Sequence, residues 1–227
     1  MKARAALRGS CSSAAQGHIG PVTPPPSIQP DLFGAAPAQP GSPDEGWPAG
    51  LAFHPDVLAA DEEASLLARL ALLPVEPFRF QQWTGKRRVA SFGWRYDFTD
   101  ASFAAAQPVP DWLVPVQERV AASAGLTAAD LAQVMVTRYD PGAGIGWHRD
   151  RPVFDEVHGL SLGTPAVLRL RRRTDAGFER FALPLPPGSL YSLRGTAREA
   201  WEHSIAPIGE LRWSITFRTL RGALRRA

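Results

Sequence analysis

"RWSITFR", residues 212–218, sets arginine, serine, threonine and arginine at alternate positions, with tryptophan, isoleucine and phenylalanine between them. In a strand, residues two apart share a face. Arg212, Ser214, Thr216 and Arg218 therefore line one side, and Trp213, Ile215 and Phe217 the other. Two architectures use such a strand. At the edge of a sheet its polar face stands in water; inside a barrel it lines the interior. Burying two arginines is unfavourable unless a partner brings negative charge. A dicarboxylate would supply that partner at both ends.

A second stretch carries chemistry. In "GIGWHRDRP", residues 144–152, His148 precedes Asp150 by two positions, so in extended backbone the imidazole and the carboxylate converge. On a surface loop such a pair is an ordinary polar contact; beside another histidine it becomes a metal site. "WEHSI", residues 201–205, offers His203 between Trp201 and Ile205. Two histidines and one carboxylate form the facial triad of non-haem Fe(II) oxygenases, which leaves positions open for co-substrate and oxygen. His18 lies in the N-terminal segment, His54 is read as preceding the domain, and His158 as a loop residue. In the lead-in "VTRYDPGAGIGWHRD", residues 136–150, Thr137 and Tyr139 share a strand face, and a Pro141-Gly142 turn separates them from His148.

The chain of 227 residues divides by composition. Residues 1–48, with "PVTPPPSIQP" and "APAQPGSPDEG", bury little and read as a disordered Pro/Ala/Gly-rich tail. A domain over 49–222 follows, then a basic tail over 223–227. "LAADEEASLLARLALL" (58–73) predicts a helix capped by Asp61, and "DWLVPVQERVAASA" (111–124) a second, with Pro115 near its start and Gly125 as its stop. Strands are expected at 87–98, 132–139, 165–173, 178–185, 188–195, 200–207 and 212–220. Evenly spaced short strands with two helices predict a mostly β fold with flanking helices, a sandwich or jelly roll.

Composition sets outer bounds. The chain is 44% hydrophobic, with no apolar run of the ~18 residues a membrane span needs, and no apolar stretch follows the basic start as a signal peptide requires. Cys11 is the single cysteine, so an intramolecular disulfide is excluded and a reducing cytoplasm is expected, with the protein a monomer. Net charge is +3, and only Lys2 and Lys86 are lysines; the remaining cations are arginines, clustered at 87–88 beside Lys86, at 169–173 and at 221–226. Planar guanidinium forks suit phosphate, though the same clusters also suit a solvated surface.

Taken in order, residues 136–218 resemble the AlkB family of Fe(II)- and 2-oxoglutarate-dependent dioxygenases. "TRYDPGAGIGWHRD" is similar to the family's N-R-Y-x-P-G…H-x-D segment and "LSLGTPAVLRLRRR" to its S-L-G-x-P strand. "PGSLYSLRGTAREAWEHSIAP" is similar to its G-D…G…H-x-I strand pair, and "RWSITFR" to its R-x-N-x-T-F-R closing strand. "RRVASFGWRYDF" (87–98) is a looser match to its nucleotide-recognition segment. The resemblance covers about residues 50–220 and implies a double-stranded β-helix. It implies Fe(II) on His148, Asp150 and His203, and 2-oxoglutarate and O2 as co-substrates. It implies Arg212, helped by Tyr139, on the far carboxylate of 2-oxoglutarate, with Arg218 by the near carboxylate and bracing Asp150. Thr137 and Ser214 stand where the family carries asparagine in the co-substrate site, and Pro152 where some members carry an acid.

The reaction implied is oxidative demethylation of an N-alkylated base in DNA or RNA, with loss of formaldehyde. An enzyme acting on a base needs aromatic faces for it. Phe98 is expected to stack on the base and Tyr96 to reach a phosphate. Trp83, in the turn "QQWTGKRR", is expected to wedge into a duplex beside Arg87 and Arg88. The same chemistry on a protein, lipid or small metabolite stands as an alternative, as does a nucleic-acid-binding module without iron.

Overall fold

The computed structural model describes residues 46–80, 83–96 and 103–222. Residues 1–45, Phe98 and the C-terminal 223–227 therefore lie outside the described residues. Twelve strands run in the order β1 (Leu51–His54), β2 (Glu76–Phe80), β3 (Trp83–Tyr96), β4 (Phe103–Ala105), β5 (Gln133–Tyr139), β6 (Ile145–His148), β7 (Phe154–Gly163), β8 (Ala166–Thr174), β9 (Gly177–Leu185), β10 (Leu190–Leu193), β11 (Glu202–Ile205) and β12 (Arg212–Leu220). Helix α1 (Ala60–Ala71) follows β1, α2 (Val114–Ala124) precedes β5, and the short α3 (Gly195–Glu199) lies between β10 and β11.

The strands form two antiparallel sheets, one ordered β1-β10-β7-β12-β5-β3-β2 with β4 on β3, the other β6-β11-β8-β9. This is the jelly roll expected from sequence. The closing strand β12 is central, paired to β5 on one side and β7 on the other, and all nine of its residues are buried. Its polar face therefore lies inside the protein, which decides between the two architectures that the strand alone left open.

Alternation along the strands builds the two cores. Trp213, Ile215 and Phe217 join Leu160, Leu162, Val134 and Val136 beneath Leu66, Leu70 and Val120 of the helices. On the other side of the large sheet, Leu168, Leu170, Leu183, Leu193 and Ile205 form a second cluster with the small sheet. Trp47, read with the tail, packs on Phe181 with ring centroids 5.4 Å apart, and Pro48 is buried, so packing begins ahead of Leu51. Among the described residues no helix is long and apolar enough to cross a membrane.

Several local expectations are corrected. The cap of α1 is not Asp61. Ala59 holds the extended N-cap conformation, and its N–H donates to Glu62 Oε2 at 2.9 Å, so the acid three residues on satisfies the helix end. Glu62 also takes a two-pronged contact from Arg119 of α2, at 2.6 and 2.7 Å. The second helix runs as expected, with Asp111–Leu113 as a 3-10 turn, Pro115 in its first turn and Gly125 left-handed at its end. His54 does not precede the fold; it pairs with Leu190 in β1.

His158 is not in a loop. It lies in β7, fully buried, with Nδ1 2.8 Å from Ser192 Oγ. "FDEVHGLSLG" lacks strand alternation because β7 is interior and covered on both faces, so polar and glycine positions answer to neighbours rather than to water. A Cβ at Gly159, for instance, would overlap the Tyr191 ring. Burial pushes the His158 imidazole down to about 4, and Arg194 adds to this. Glu156, 3.4 Å from Nε2, does not reverse the shift, because Arg194 already holds that carboxylate at 2.8 Å.

The unfolded chain binds a proton at this imidazole below its ordinary value of 6.5, and the folded chain only near 4. Its burial therefore removes stability as pH falls through that window. Replacing His158 with Gln is expected to shallow the loss of stability between pH 6.5 and 4.5 by about 2 kcal/mol. Urea unfolding at several pH values reads this directly.

Candidate active site

Between the sheets lies a small cavity that opens to solvent. Strands β5 and β12 supply one wall. Tyr139 is in register with Arg212, and Thr137 with Ser214; Thr216 and Arg218 continue the row. The opposite wall comes from β6 and β11, where His148 and His203 are cross-strand partners. The turn ahead of β6 forms as the Pro-Gly pair dictates. Ala143 N–H donates to Asp140 O at 2.8 Å, with Gly142 at φ 81°. Gly142 N–H donates to Ile208 O at 2.7 Å, which ties the turn to the segment leading into β12.

His148, Asp150 and His203 each direct one ligand atom inward, and these atoms all lie within 4.8 Å of one another. The imidazole centroids are 4.2 Å apart. His148 Nδ1 lies 2.9 Å from Gly146 O, an acceptor only, so Nδ1 carries the hydrogen and Nε2 presents its lone pair to the cavity. Asp150 Oδ1 accepts from Arg218 Nη2 at 3.1 Å, while Oδ2 is buried without a hydrogen-bond partner.

Burial lowers the affinity of His148 for a proton and pushes His203 down to about 3, so both imidazoles are neutral at physiological pH. Burial would raise the Asp150 carboxyl, but the charges around it, the Arg218 guanidinium foremost, outweigh this and hold the group ionised, well below the usual carboxylate range. Two neutral imidazoles, one carboxylate and an unsatisfied buried oxygen suit a divalent cation with open positions.

The positive groups are distributed unevenly. Arg218 is matched by Asp150, and its Nη1 donates to Gln133 Oε1 at 2.9 Å. Arg212, 1% exposed, donates from Nη2 to Ser161 Oγ at 3.0 Å and lies 5.0 Å from the Tyr139 ring centroid, yet its Nε and Nη1 have no acceptor. Because Arg212 lines the cavity, a carboxylate entering it would meet a guanidinium with donors to spare.

Arg87 lines the same cavity. It is 7% exposed, stacked 3.7 Å over the Phe78 ring, and its Nε is unsatisfied. Expected to contact phosphate, it is instead an interior group, because β3 pairs with β5 in a register that sets Val89 against Thr137, so that Arg87, two residues before Val89, shares the cavity face of Thr137. Arg88 falls on the other side, half-exposed and 4.0 Å from Asp140. Trp83 and Tyr96 sit at the two ends of β3, and their side chains, like Phe98, are outside the described residues.

Tyr191, Ser161, Met135 and Ile145 also belong to the site and were not singled out from the sequence. Tyr191 lines the cavity opposite Gly159, and Ser161 holds Arg212.

Titration of metal-free protein with Mn(II) is expected to give one site. Asp150→Ala or His203→Ala is expected to weaken it at least a hundredfold, and Arg218→Ala, which frees Asp150 to reorient, on the order of ten- to a hundredfold. Isothermal calorimetry measures all three.

The comparisons agree with this geometry. The model of the 2OG-Fe(II) oxygenase superfamily matches residues 53–218. The chain is 28% identical over 182 residues to the alkylated DNA repair protein ALKBH8 homolog of Arabidopsis thaliana, a match covering 69% of this chain and 50% of that one. It is 42% identical over 77 residues to the mitochondrial alpha-ketoglutarate-dependent dioxygenase alkB homolog 7 of Bos taurus, covering 33% of this chain and 34% of that one. The chain thus spans about half the length of the first relative and a third of the second. The fold is similar to the structure of OsALKBH1, with a TM-score of 0.59 at 14% identity over 75% of this chain and 96% of that one. It is similar to a Pseudomonas putida prolyl-4-hydroxylase, with a TM-score of 0.52 at 18% identity over 76% and 93%. Membership of the family brings Fe(II), 2-oxoglutarate and O2 as the reacting partners. The chain belongs to the 2OG-Fe(II) oxygenase superfamily, as a 2-oxoglutarate-dependent dioxygenase, and is similar within it to AlkB homologues.

Proposed function

We propose that this dioxygenase oxidatively demethylates N-alkylated bases in DNA or RNA. The observation that carries the reading is the charge of the cavity. Three guanidiniums, of Arg87, Arg212 and Arg218, line it with one carboxylate, Asp150. Arg218 belongs to Asp150, and Arg212 is suited to the far carboxylate of 2-oxoglutarate by its two unsatisfied donors. Arg87 is left over, and a substrate bearing phosphate or base acceptors beside the metal would satisfy it. The relatives point the same way: an alkylated DNA repair protein, and a probable RNA/DNA demethylase of Danio rerio at 28% identity over 121 residues.

In this reading His148 Nε2, His203 and Asp150 Oδ2 hold Fe(II). Fe(II) held there would supply the coupling of O2 and 2-oxoglutarate oxidation, to succinate and carbon dioxide, with hydroxylation of the N-methyl carbon. The protein's own groups do the rest. Arg218 keeps Asp150 ionised and aimed. Arg212, with Tyr139 beneath it, fixes the far carboxylate, assisted along the same face by Thr137 and Ser214, whose hydroxyls replace amides. The walls of Met135, Ile145, Leu168 and Ile205 exclude water from the reacting carbon. The hydroxylated methyl then leaves as formaldehyde. Phe98 is assigned to stacking on the base, Tyr96 to a phosphate, Trp83 to a wedge and Arg88 to the backbone.

The test is single-turnover repair of a panel of N-methylated oligonucleotides, read by mass spectrometry. Phe98→Ala is expected to lower repair about ten- to a hundredfold while uncoupled 2-oxoglutarate decarboxylation persists, since stacking on a base is worth ~1–3 kcal/mol. Arg212→Lys is expected to raise the concentration of 2-oxoglutarate required, because a point charge does not reproduce the planar fork. Failure to repair any methylated base, alongside 2-oxoglutarate turnover stimulated by a protein or metabolite, overturns the nucleic acid assignment.

A further inference from the structure

The outer face of the small sheet carries a row of cations stacked on rings. Leu168 and Leu170 of β8 point into the core, so Arg169, Arg171 and Arg173 point away from it. The Arg169 and Arg171 guanidiniums lie 5.2 and 4.4 Å from the Trp147 ring centroid. Arg171 also lies 4.7 Å from the Phe178 ring, with Arg173 at 5.5 Å and Arg180 at 5.7 Å. Four guanidiniums and two rings thus form one layer across β6, β8 and β9.

Against them this face sets Glu202, which accepts from Arg171 Nε at 2.6 Å. Arg169 makes a neutral contact with Ser204 at 3.1 Å, and Arg180 one with its own strand's Phe178 O at 3.3 Å. Arg172, of opposite parity, pairs separately with Glu179. The face therefore keeps a surplus of positive charge, and Arg173 and Arg180 are exposed.

We infer that this arginine–aromatic face is a docking track for single-stranded nucleic acid. The inference rests on the reading of the enzyme as a nucleic acid demethylase and extends it to the strand that flanks the reacting base. Three features select this occupant. Charge complementarity calls for a polyanion. The guanidiniums of β8 repeat every second residue, about 6.6 Å apart along the strand, which suits an extended sugar–phosphate backbone rather than a compact anion. The planar groups layered on Trp147 and Phe178 offer stacking to bases, which an acidic peptide lacks.

The connection to the cavity is covalent and short. Trp147 immediately precedes His148 on β6, the edge strand of its sheet, so one residue faces the track and the next faces the metal cavity. A strand passing round this edge has a base on one side and its flanking nucleotides on the other.

The test uses the full chain and a fluorescent unmodified dT12, which contains no methylated base and so reports docking apart from repair. Fluorescence anisotropy is measured over a salt series. The triple variant Arg169→Gln, Arg173→Gln, Arg180→Gln is expected to raise Kd on the order of ten- to a hundredfold. Its dependence of log K on log salt is expected to flatten by about 2, since each single-strand phosphate contact contributes about 0.7.

The triple lysine variant keeps the charge and is expected to retain the salt slope while losing the stacking part of the affinity. It answers the question if the glutamine variant does not fold. Wild-type affinity and salt slope in the glutamine variant would overturn the track, as would equal binding of poly-glutamate, of anionic phosphatidylserine vesicles, or of blunt duplex by the wild type. Loss of dT12 binding in the variant without repair of any methylated oligonucleotide by the wild type would uphold the track and remove the demethylase reading. Repair by the wild type with unaltered dT12 binding in the variant would do the reverse.

Discussion

Two guanidiniums buried on the central strand of the large sheet impose the strongest constraint on this protein. Arg212 and Arg218 sit at opposite ends of one polar face of β12, 1% and 5% exposed. A charge so placed destabilises the fold unless it is answered. Arg218 is answered in charge by Asp150 and bonded to Gln133, with its Nε left over; Arg212 has a serine hydroxyl and a tyrosine face, no carboxylate, and two donors left over. The unanswered donors make the cavity a receptor for a carboxylate. The answered ones hold an aspartate ionised beside two neutral imidazoles. Anion binding and metal binding thus depend on the same strand.

The rest of the architecture serves to keep that strand interior. β5 and β7 cover both its edges, the helices cover its apolar face through Trp213, Ile215 and Phe217, and the small sheet faces its polar side across the cavity. Gly159 shows how closely the parts are fitted: the missing Cβ is the space taken by the Tyr191 ring at the cavity wall. The Pro141-Gly142 turn plays a similar part, carrying the chain from Tyr139 on one sheet to His148 on the other within a few residues.

How much of this was legible in the sequence depended on whether a residue's role was local. Alternation in "RWSITFR", the His-x-Asp spacing and the Gly125 stop are local patterns, and the jelly roll, the convergence of His148, Asp150 and His203, and the second helix follow from them. β7 was invisible because both its faces are buried, so "FDEVHGLSLG" carries no alternation. His158 was misread for the same reason. Arg87 and Arg88 are adjacent cations in sequence, and only the β3–β5 register decides that one enters the cavity and the other meets Asp140. The cap of α1 escaped because alanine holds the capping backbone while Glu62, three residues on, supplies the side chain.

The central claim is that this polar face was built around one metal and one dicarboxylate. An anaerobic crystal structure with Mn(II) and 2-oxoglutarate tests it most directly. The account places the metal about 2.1 Å from His148 Nε2, His203 and Asp150 Oδ2, with the far carboxylate of 2-oxoglutarate held two-pronged by Arg212 beside Tyr139. A metal bound elsewhere, or a carboxylate held by Arg87 with the Arg212 donors still unsatisfied, would contradict it.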